Sequence, residues 1–378
     1  MLKRICVITP NYPTSTFIER GAYLEGLVKD WEKLNLVVDI LAPRTVPNHL
    51  RSILTQKVDS RKIAGNKIIE PLIPSFGSKE FGRLSMRVIS RYFFHRACTV
   101  EFTNLVKPNL LYGQFLFGGG SGCFEIFNRT NTPYFIDIGE SNIRKDFGRH
   151  DLDLAKKILK NASGVICVSD ILLNEVRRLG VPEEKSIMIK NSVDLSSIHK
   201  LPKEKCRAKL GIPQDQFLVL FVGHFVDRKG PLRVLSAINR FNGKVKGVFL
   251  GRGDQEPLGE NVYYKRSVDR NELNLWLNAS DVFVLPTLAE GHCNAINEAV
   301  ACGLPIVSSR IPEVELQLKN GVNGILIDPN SVDEIFHAIE RLFKDKKLRD
   351  EYAKNNLLEV FPSESRAELI LKWMESKL

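Results

Sequence analysis

At 378 residues, 43% hydrophobic and 26% charged, the chain has the make-up of a globular protein, and at about 150 residues per domain it is long enough for two or three cores. Its longest apolar runs, such as 217–222 and 282–286, are strand-sized and far short of the roughly 20 residues of a membrane-spanning helix. A formal charge of +10 calls for an anionic partner (nucleic acid, phosphorylated ligand or anionic membrane), and seven scattered cysteines without a C-x-x-C pair indicate neither a zinc site nor a disulfide framework.

The N-terminal MLKRICVITP carries a basic pair, but its apolar run is shorter than a secretory h-region, so it reads as a first buried strand and implies a cytoplasmic protein. Residues 5–9 begin a β-α-β alternation that continues through a helix over 18–34 and a strand at 37–41. The segment 81–96, FGRLSMRVISRYFFHR, spaces Arg83, Arg87 and Arg91 four apart on one helix face, with apolar and aromatic residues elsewhere on the turns. It predicts either a basic amphipathic helix lying on an anionic membrane surface or a helix packed on the sheet with a solvated arginine face. Strands follow at 109–112, 133–138 and 164–169, the first leading into the glycine-rich turn 118–120. Polar, proline-broken residues 192–211 mark a domain boundary, and a second series of strands follows at 217–222, 245–250, 262–264, 282–285, 305–308 and 324–327. The last stretch, 363–378, reads as an amphipathic helix with Leu369, Leu371 and Trp373. The expected fold class is α/β, with two doubly wound parallel-sheet domains facing a cleft. Residues 1–192 form the first domain and 193–362 the second, with the C-terminal helix 363–378 crossing back onto the first. Ligands of such sheets bind beyond the carboxyl ends of the strands.

The densest chemistry lies in residues 281–309, DVFVLPTLAEGHCNAINEAVACGLPIVSS. A buried strand ends at Pro286, a loop holds Glu290 and Gly291, and a helix begins near Asn294 and stops at Gly303-Leu304-Pro305. The N–H groups of Cys293, Asn294 and Ala295 then head a helix dipole suited to a diphosphate. Glu290 and Glu298 flank that anion site, and a carboxylate there can accept hydrogen bonds from a ribose or a sugar. A lone glutamate early in a helix often serves only the dipole. Here strand, proline, glycine, helix and both acids occur together.

This segment resembles the E-x7-E signature of glycosyltransferase family 4, whose members have the GT-B fold of two Rossmann-like domains and retain anomeric configuration. The continuation Ala301-Cys302-Gly303-Leu304-Pro305-Ile306-Val307 is similar to the family's ACG-P-V exit. Upstream, Gly223-His224-Phe225-Val226-Asp227-Arg228-Lys229-Gly230 resembles the family's phosphate-clamping loop; Lys229 keeps the lysine place, His224 stands where arginine is usual, and Arg228 lies beside it. Gly251-Arg252-Gly253 looks like the family's G-x-G turn, and 265–268, ending at Val268, like the segment whose backbone touches the base. Asn191-Ser192-Val193-Asp194 is similar to the family's hinge. The N-terminal half fits less well. Asn11 to Phe17 replaces the usual Gly-Gly loop and Asp137-Ile138-Gly139-Glu140-Ser141-Asn142 the usual basic turn, so Thr16, Ser141 and Asn142 alone are carried over to the acceptor side.

The resemblance implies a retaining transfer from a nucleotide sugar to a saccharide or lipid-linked acceptor in surface polysaccharide or glycoconjugate assembly; the base is left open, with UDP slightly preferred over GDP. It assigns Glu290 to catalysis at the donor sugar and Glu298 to the ribose. Lys229, Arg228, His224 and the N–H groups at 293–295 serve the leaving diphosphate. No Asp-x-Asp motif follows a strand, so neither metal nor other cofactor is expected. The rival readings are an epimerase acting on the nucleotide sugar alone and a catalytically silent binding scaffold. Nucleic-acid binding is disfavoured because no helix-turn-helix or aromatic-basic sheet motif accompanies the charge.

Overall fold

The structure is a computed structural model that describes residues 2–13, 21–45, 67–74, 80–81, 84–140, 143 and 151–378. The chain divides into two compact units, Met1–Lys190 with Glu364–Leu378, and Asn191–Ser363.

The first unit is built on a seven-stranded sheet in the order Ser186–Met188, Gly164–Cys167, Tyr134–Ile138, Leu110–Gln114, Arg4–Ile8, Val37–Leu41 and Ile68–Ile69, every pair parallel. Helices cover parallel strands on both faces, which is why these strands read as unbroken apolar runs instead of alternating ones. Ile5 lies in register with Leu110 on one side and Val38 on the other. The strand order reverses between Arg4–Ile8 and Leu110–Gln114, making this the switch point where a doubly wound sheet opens. The side chains of Thr9 and Gln114 hydrogen-bond there. The expected glycine turn is part of a π-helical turn, Phe115–Gly120, running into the helix Ser121–Thr130. A Cβ on Gly119 would sit 2.0 Å from the Ile8 carbonyl oxygen, so only glycine fits.

The helix Ser363–Glu375 lays its residues Ala367, Ile370 and Met374 into this first unit. Trp31 Nε1 donates to the Ala367 carbonyl at 3.1 Å. Arg366 Nη2 donates to Asp137 Oδ2 at 2.8 Å, and the Tyr112 hydroxyl donates to the same oxygen at 2.6 Å. Both partners of the ion pair are nearly sealed from water, with side-chain exposures of 2% and 4%.

The arginine face expected over 81–96 is a correction. The helix is Met86–Phe102, and Phe81 and Leu84 belong to a pair of two-residue strands before it. Arg83 lies outside the described residues. Arg91 turns inward, bonding Asp151 at 2.9 Å with its guanidinium 4.5 Å from the centre of the Phe117 ring. A paired guanidinium tolerates burial, so charge alone does not mark the wet side of a helix. The exposed line is instead Val88, Tyr92, Arg96 and Val100.

The second unit carries a six-stranded parallel sheet in the order Val262–Arg266, Val245–Leu250, Phe217–Val222, Val282–Leu285, Ile306–Ser309 and Gly324–Ile327. Its switch point lies between Phe217–Val222 and Val282–Leu285, and the loops leaving these two strands hold the candidate site. No helix among the described residues is long and apolar enough to cross a membrane.

Removing Arg366 strands the Asp137 carboxylate in the core. Arg366→Met should lower stability by about 3–5 kcal/mol, read as a reduced midpoint in denaturant unfolding.

Candidate active site

The first loop is shaped by backbone approach. Gly223 N–H donates to the Leu250 carbonyl at 3.0 Å, Phe225 N–H to Arg252 at 2.8 Å, and Gln255 N–H back to Phe225 at 2.8 Å. A Cβ at Gly251 would fall 1.9 Å from the Gly223 carbonyl oxygen, which explains the glycine of the G-x-G turn. Phe225 anchors the loop in the core, while His224 is exposed. A single 3-10 turn, Asp227–Lys229, follows. Gly230, at φ +75°, then opens the helix Pro231–Asn239 with proline in its first turn.

That turn presents Lys229 and Arg228 to the second loop. Lys229 Nζ hydrogen-bonds Glu290 Oε1, and Arg228 Nη1 lies 3.8 Å from the same oxygen while bonding the Ala289 carbonyl. The two loops are also joined through the Leu288 N–H and the Arg228 carbonyl at 2.8 Å. The Lys229 and Glu290 side chains are 12% and 9% exposed, so their attraction acts away from bulk solvent. Two residues expected to serve different parts of a ligand are therefore paired with each other.

Glu290 and Gly291 lead into the helix Asn294–Ala301, which ends as expected at Gly303, φ +60°, with Leu304 N–H returning to the Ala299 carbonyl at 2.9 Å. One expectation fails here. The Cys293 N–H is not open to an anion in this structure, because it donates to Gln317 Oε1 at 2.8 Å. Gln317 Nε2 returns a bond to the Cys293 carbonyl at 3.0 Å and reaches Asn297 Oδ1 at 2.8 Å. A side-chain amide pairs a peptide at both its donor and its acceptor, which is why it claims the first N–H of the helix end. Asn294 and Ala295 keep their place in the first turn, whose N–H groups have no preceding carbonyl within the helix. Asn294 Oδ1 is buried with no hydrogen-bond partner among the described residues. The Cys293 thiol is pushed up to about 12, chiefly by burial, with Glu290 adding to the effect, and it stays neutral. Behind the loop, Asn191 Nδ2 donates to the His292 carbonyl and Asn297 Nδ2 to the Asn191 carbonyl, each at 3.1 Å.

Glu298 lies one turn into the helix and meets Arg270, whose Nη1 donates to Glu298 Oε1 at 3.0 Å. Val268 is half-buried against the core just before Asp269, whose side chain caps the helix Arg270–Ala279 by accepting Glu272 N–H at 2.8 Å. The structure thus gathers Glu290, Arg228 and Lys229 at one point and leads through Cys293, Asn294 and Ala295 to Glu298 along one helix. Sequence reasoning missed Arg270 and Gln317. Arg270 had a faint signal, standing just after a capping aspartate, whereas Gln317 had none. In the first unit, Thr16, Ser141 and Asn142 lie outside the described residues. Glu140 accepts the Leu116 N–H at 2.5 Å, and burial pushes its carboxyl up to about 7.

Residues 202–358, nearly the whole second unit, match the family described as Glycosyl transferases group 1. The second unit belongs to that family. Over 364 residues, 93% of this chain and 92% of the relative, the protein is 26% identical to TuaC of Bacillus subtilis, a protein named for a glycosyltransferase role in teichuronic acid biosynthesis. It is 30% identical over 230 residues, 56% of this chain and 57% of the relative, to an Escherichia coli enzyme named UDP-Gal:alpha-D-GlcNAc-diphosphoundecaprenol alpha-1,3-galactosyltransferase. Among solved structures, sucrose-phosphate synthase of Thermosynechococcus elongatus superposes with a TM-score of 0.79 at 19% identity, covering 99% of this chain and 98% of that one. Anabaena HepE in complex with UDP-glucose superposes with a TM-score of 0.72 at 17% identity, covering all of both chains. These neighbours establish the expected fold class: the chain has the GT-B fold.

Gln317→Ala removes the acceptor of the Cys293 N–H, while the Cys293 carbonyl keeps the Asn297 N–H at 3.2 Å. We expect thermal unfolding to report a loss of about 1–3 kcal/mol, the cost of leaving one buried backbone donor unpaired.

Proposed function

We propose that the protein is a retaining, metal-independent glycosyltransferase that moves a sugar from a nucleotide sugar, UDP-linked in preference to GDP-linked, to a saccharide or lipid-linked saccharide in surface polysaccharide or glycoconjugate assembly. The observation that carries this reading is the sheltered Lys229–Glu290 pair at the head of the helix Asn294–Ala301. Breaking an anomeric bond places positive charge on the sugar ring and negative charge on the departing diphosphate. Groups that help must therefore stabilise both charges more in the transition state than in the ground state. Lys229 and Arg228 supply cations, His224 an exposed imidazole on the same loop, and the N–H groups of Asn294 and Ala295 a positive helix end for the diphosphate. Glu290 presents a carboxylate to the hydroxyls and developing charge of the donor sugar. Glu298, one turn into the helix, faces the ribose, and the backbone at Val268 faces the base.

The UDP preference is supported by two relatives, the Escherichia coli enzyme named for UDP-Gal and HepE, solved with UDP-glucose. The diphosphoundecaprenol in the former's name supports a lipid-linked acceptor. Glu290→Ala should reduce turnover by about 10²–10³-fold, the usual consequence of removing one preorganised electrostatic group. Near-normal turnover in this variant removes Glu290 from the chemistry, and an inverted product anomer by proton NMR removes the retaining assignment. A nucleotide at 100 times its dissociation constant should stabilise the wild type by about 2.7 kcal/mol, a response that Glu298→Ala loses.

A lipid-linked acceptor also favours contact with a bilayer, and the exposed line Val88, Tyr92, Arg96 and Val100 offers an apolar face with one cation for it. Flotation with vesicles containing anionic lipid should retain the wild type and release Tyr92→Glu; equal recovery of the two proteins rejects this face.

A further inference from the structure

Arg270 is the first residue of a capped helix, so its backbone is fixed by Asp269 before its side chain makes any contact. From there the guanidinium spans two partners. Its Nη1 donates to Glu298 Oε1 at 3.0 Å and its Nε to Ser197 Oγ at 3.0 Å. Ser197 is itself held, its hydroxyl donating to Asp194 Oδ2 at 2.9 Å, and Asp194 also accepts the Ser196 N–H at 2.9 Å. Burial opposes the charge on Asp194, yet the bonds from Ser196 and Ser197 outweigh it and hold that carboxyl below its ordinary value. The result is a chain of four side chains, Asp194–Ser197–Arg270–Glu298, drawn from three separate segments and ending on the carboxylate assigned to the ribose.

We infer that Arg270 is a positioning residue of the nucleotide site, which locks the Glu298 carboxylate by one oxygen so that Oε2 is left for the vicinal hydroxyls of a ribose. The inference rests on the ribose role proposed above for Glu298. Glu298 Oε2 makes no hydrogen bond among the described residues, while Oε1 accepts one from the guanidinium. A planar fork can hold serine and carboxylate at once in fixed directions, which the compact ammonium of lysine cannot. With Arg270 24% exposed, the pair is worth little as a stabilising ion pair, so a purely structural role accounts poorly for the arrangement.

The test is calorimetric titration of wild type, Arg270→Met, Ser197→Ala and Glu298→Gln with UDP, GDP and their 2′-deoxy counterparts. We expect the wild type to prefer one ribonucleotide over its deoxy form by about tenfold, as one charge-assisted hydrogen bond allows. Arg270→Met should cut that ratio to about twofold, leaving deoxynucleotide affinity nearly unchanged, and Ser197→Ala should reduce it about threefold. A ratio kept by Arg270→Met but lost by Glu298→Gln overturns the role of Arg270 alone. A wild type that binds no nucleotide, or does not discriminate, overturns it together with the ribose assignment. If Arg270→Met has no cooperative melt, Ser197→Ala decides by the same ratio: a wild-type value there overturns the inference.

Discussion

At three junctions of this protein a cation drawn out of water is matched to a carboxylate. A bare charge in the interior costs several kcal/mol, and a well-placed partner removes most of that cost. Lys229 meets Glu290 where two loops join, Arg270 meets Glu298 where two helices approach, and Arg366 meets Asp137 where the last helix closes on the first sheet. Each pair joins segments distant in sequence, so each is satisfied only when the parallel sheets are correctly wound. Pairing also gives Glu290 and Glu298 a counter-charge within hydrogen-bond reach in a partly dry setting.

Much of the second unit was legible because its signals are local. A run such as FLVLFV at 217–222 is buried on both faces, and glycines at 223, 230, 251 and 303 mark places where a side chain has no room or the chain must turn left-handed. The site was legible to the level of its helix and its acids for the same reason. The partners of those acids were not. Glu298 finds Arg270 from a strand-to-helix turn 28 residues earlier, and the Cys293 N–H finds Gln317 24 residues later, separations at which spacing carries no information. Arg87 and Arg91 misled for a related reason: helical spacing says which residues share a face, and only packing says where the face points. Arg91 was turned inward by Asp151, 60 residues away.

The first unit opens its sheet between Arg4–Ile8 and Leu110–Gln114, where Thr9 and Gln114 join side chains and the π-helical turn begins. Phe115 holds a positive φ of 64° in that turn, an uncommon conformation for an aromatic residue, and its neighbour Leu116 gives an N–H to Glu140. The strained turn and the buried acid both stand at the carboxyl ends of the strands, the part of such a sheet where ligands are handled. Glu140, which bonds this turn, belongs to a segment that departs in sequence from the pattern the chain otherwise resembles.

The docking of residues 364–378 onto the first unit makes that unit discontinuous, with the whole second unit, 191–363, inserted between its parts. During synthesis the second unit can close on itself as one uninterrupted stretch. The first unit cannot, because Asp137 lacks its guanidinium and Trp31 its acceptor until the last helix has left the ribosome. The order of completion is thus the reverse of the order of translation, and until the last helix docks Asp137 has the Tyr112 hydroxyl but not its guanidinium.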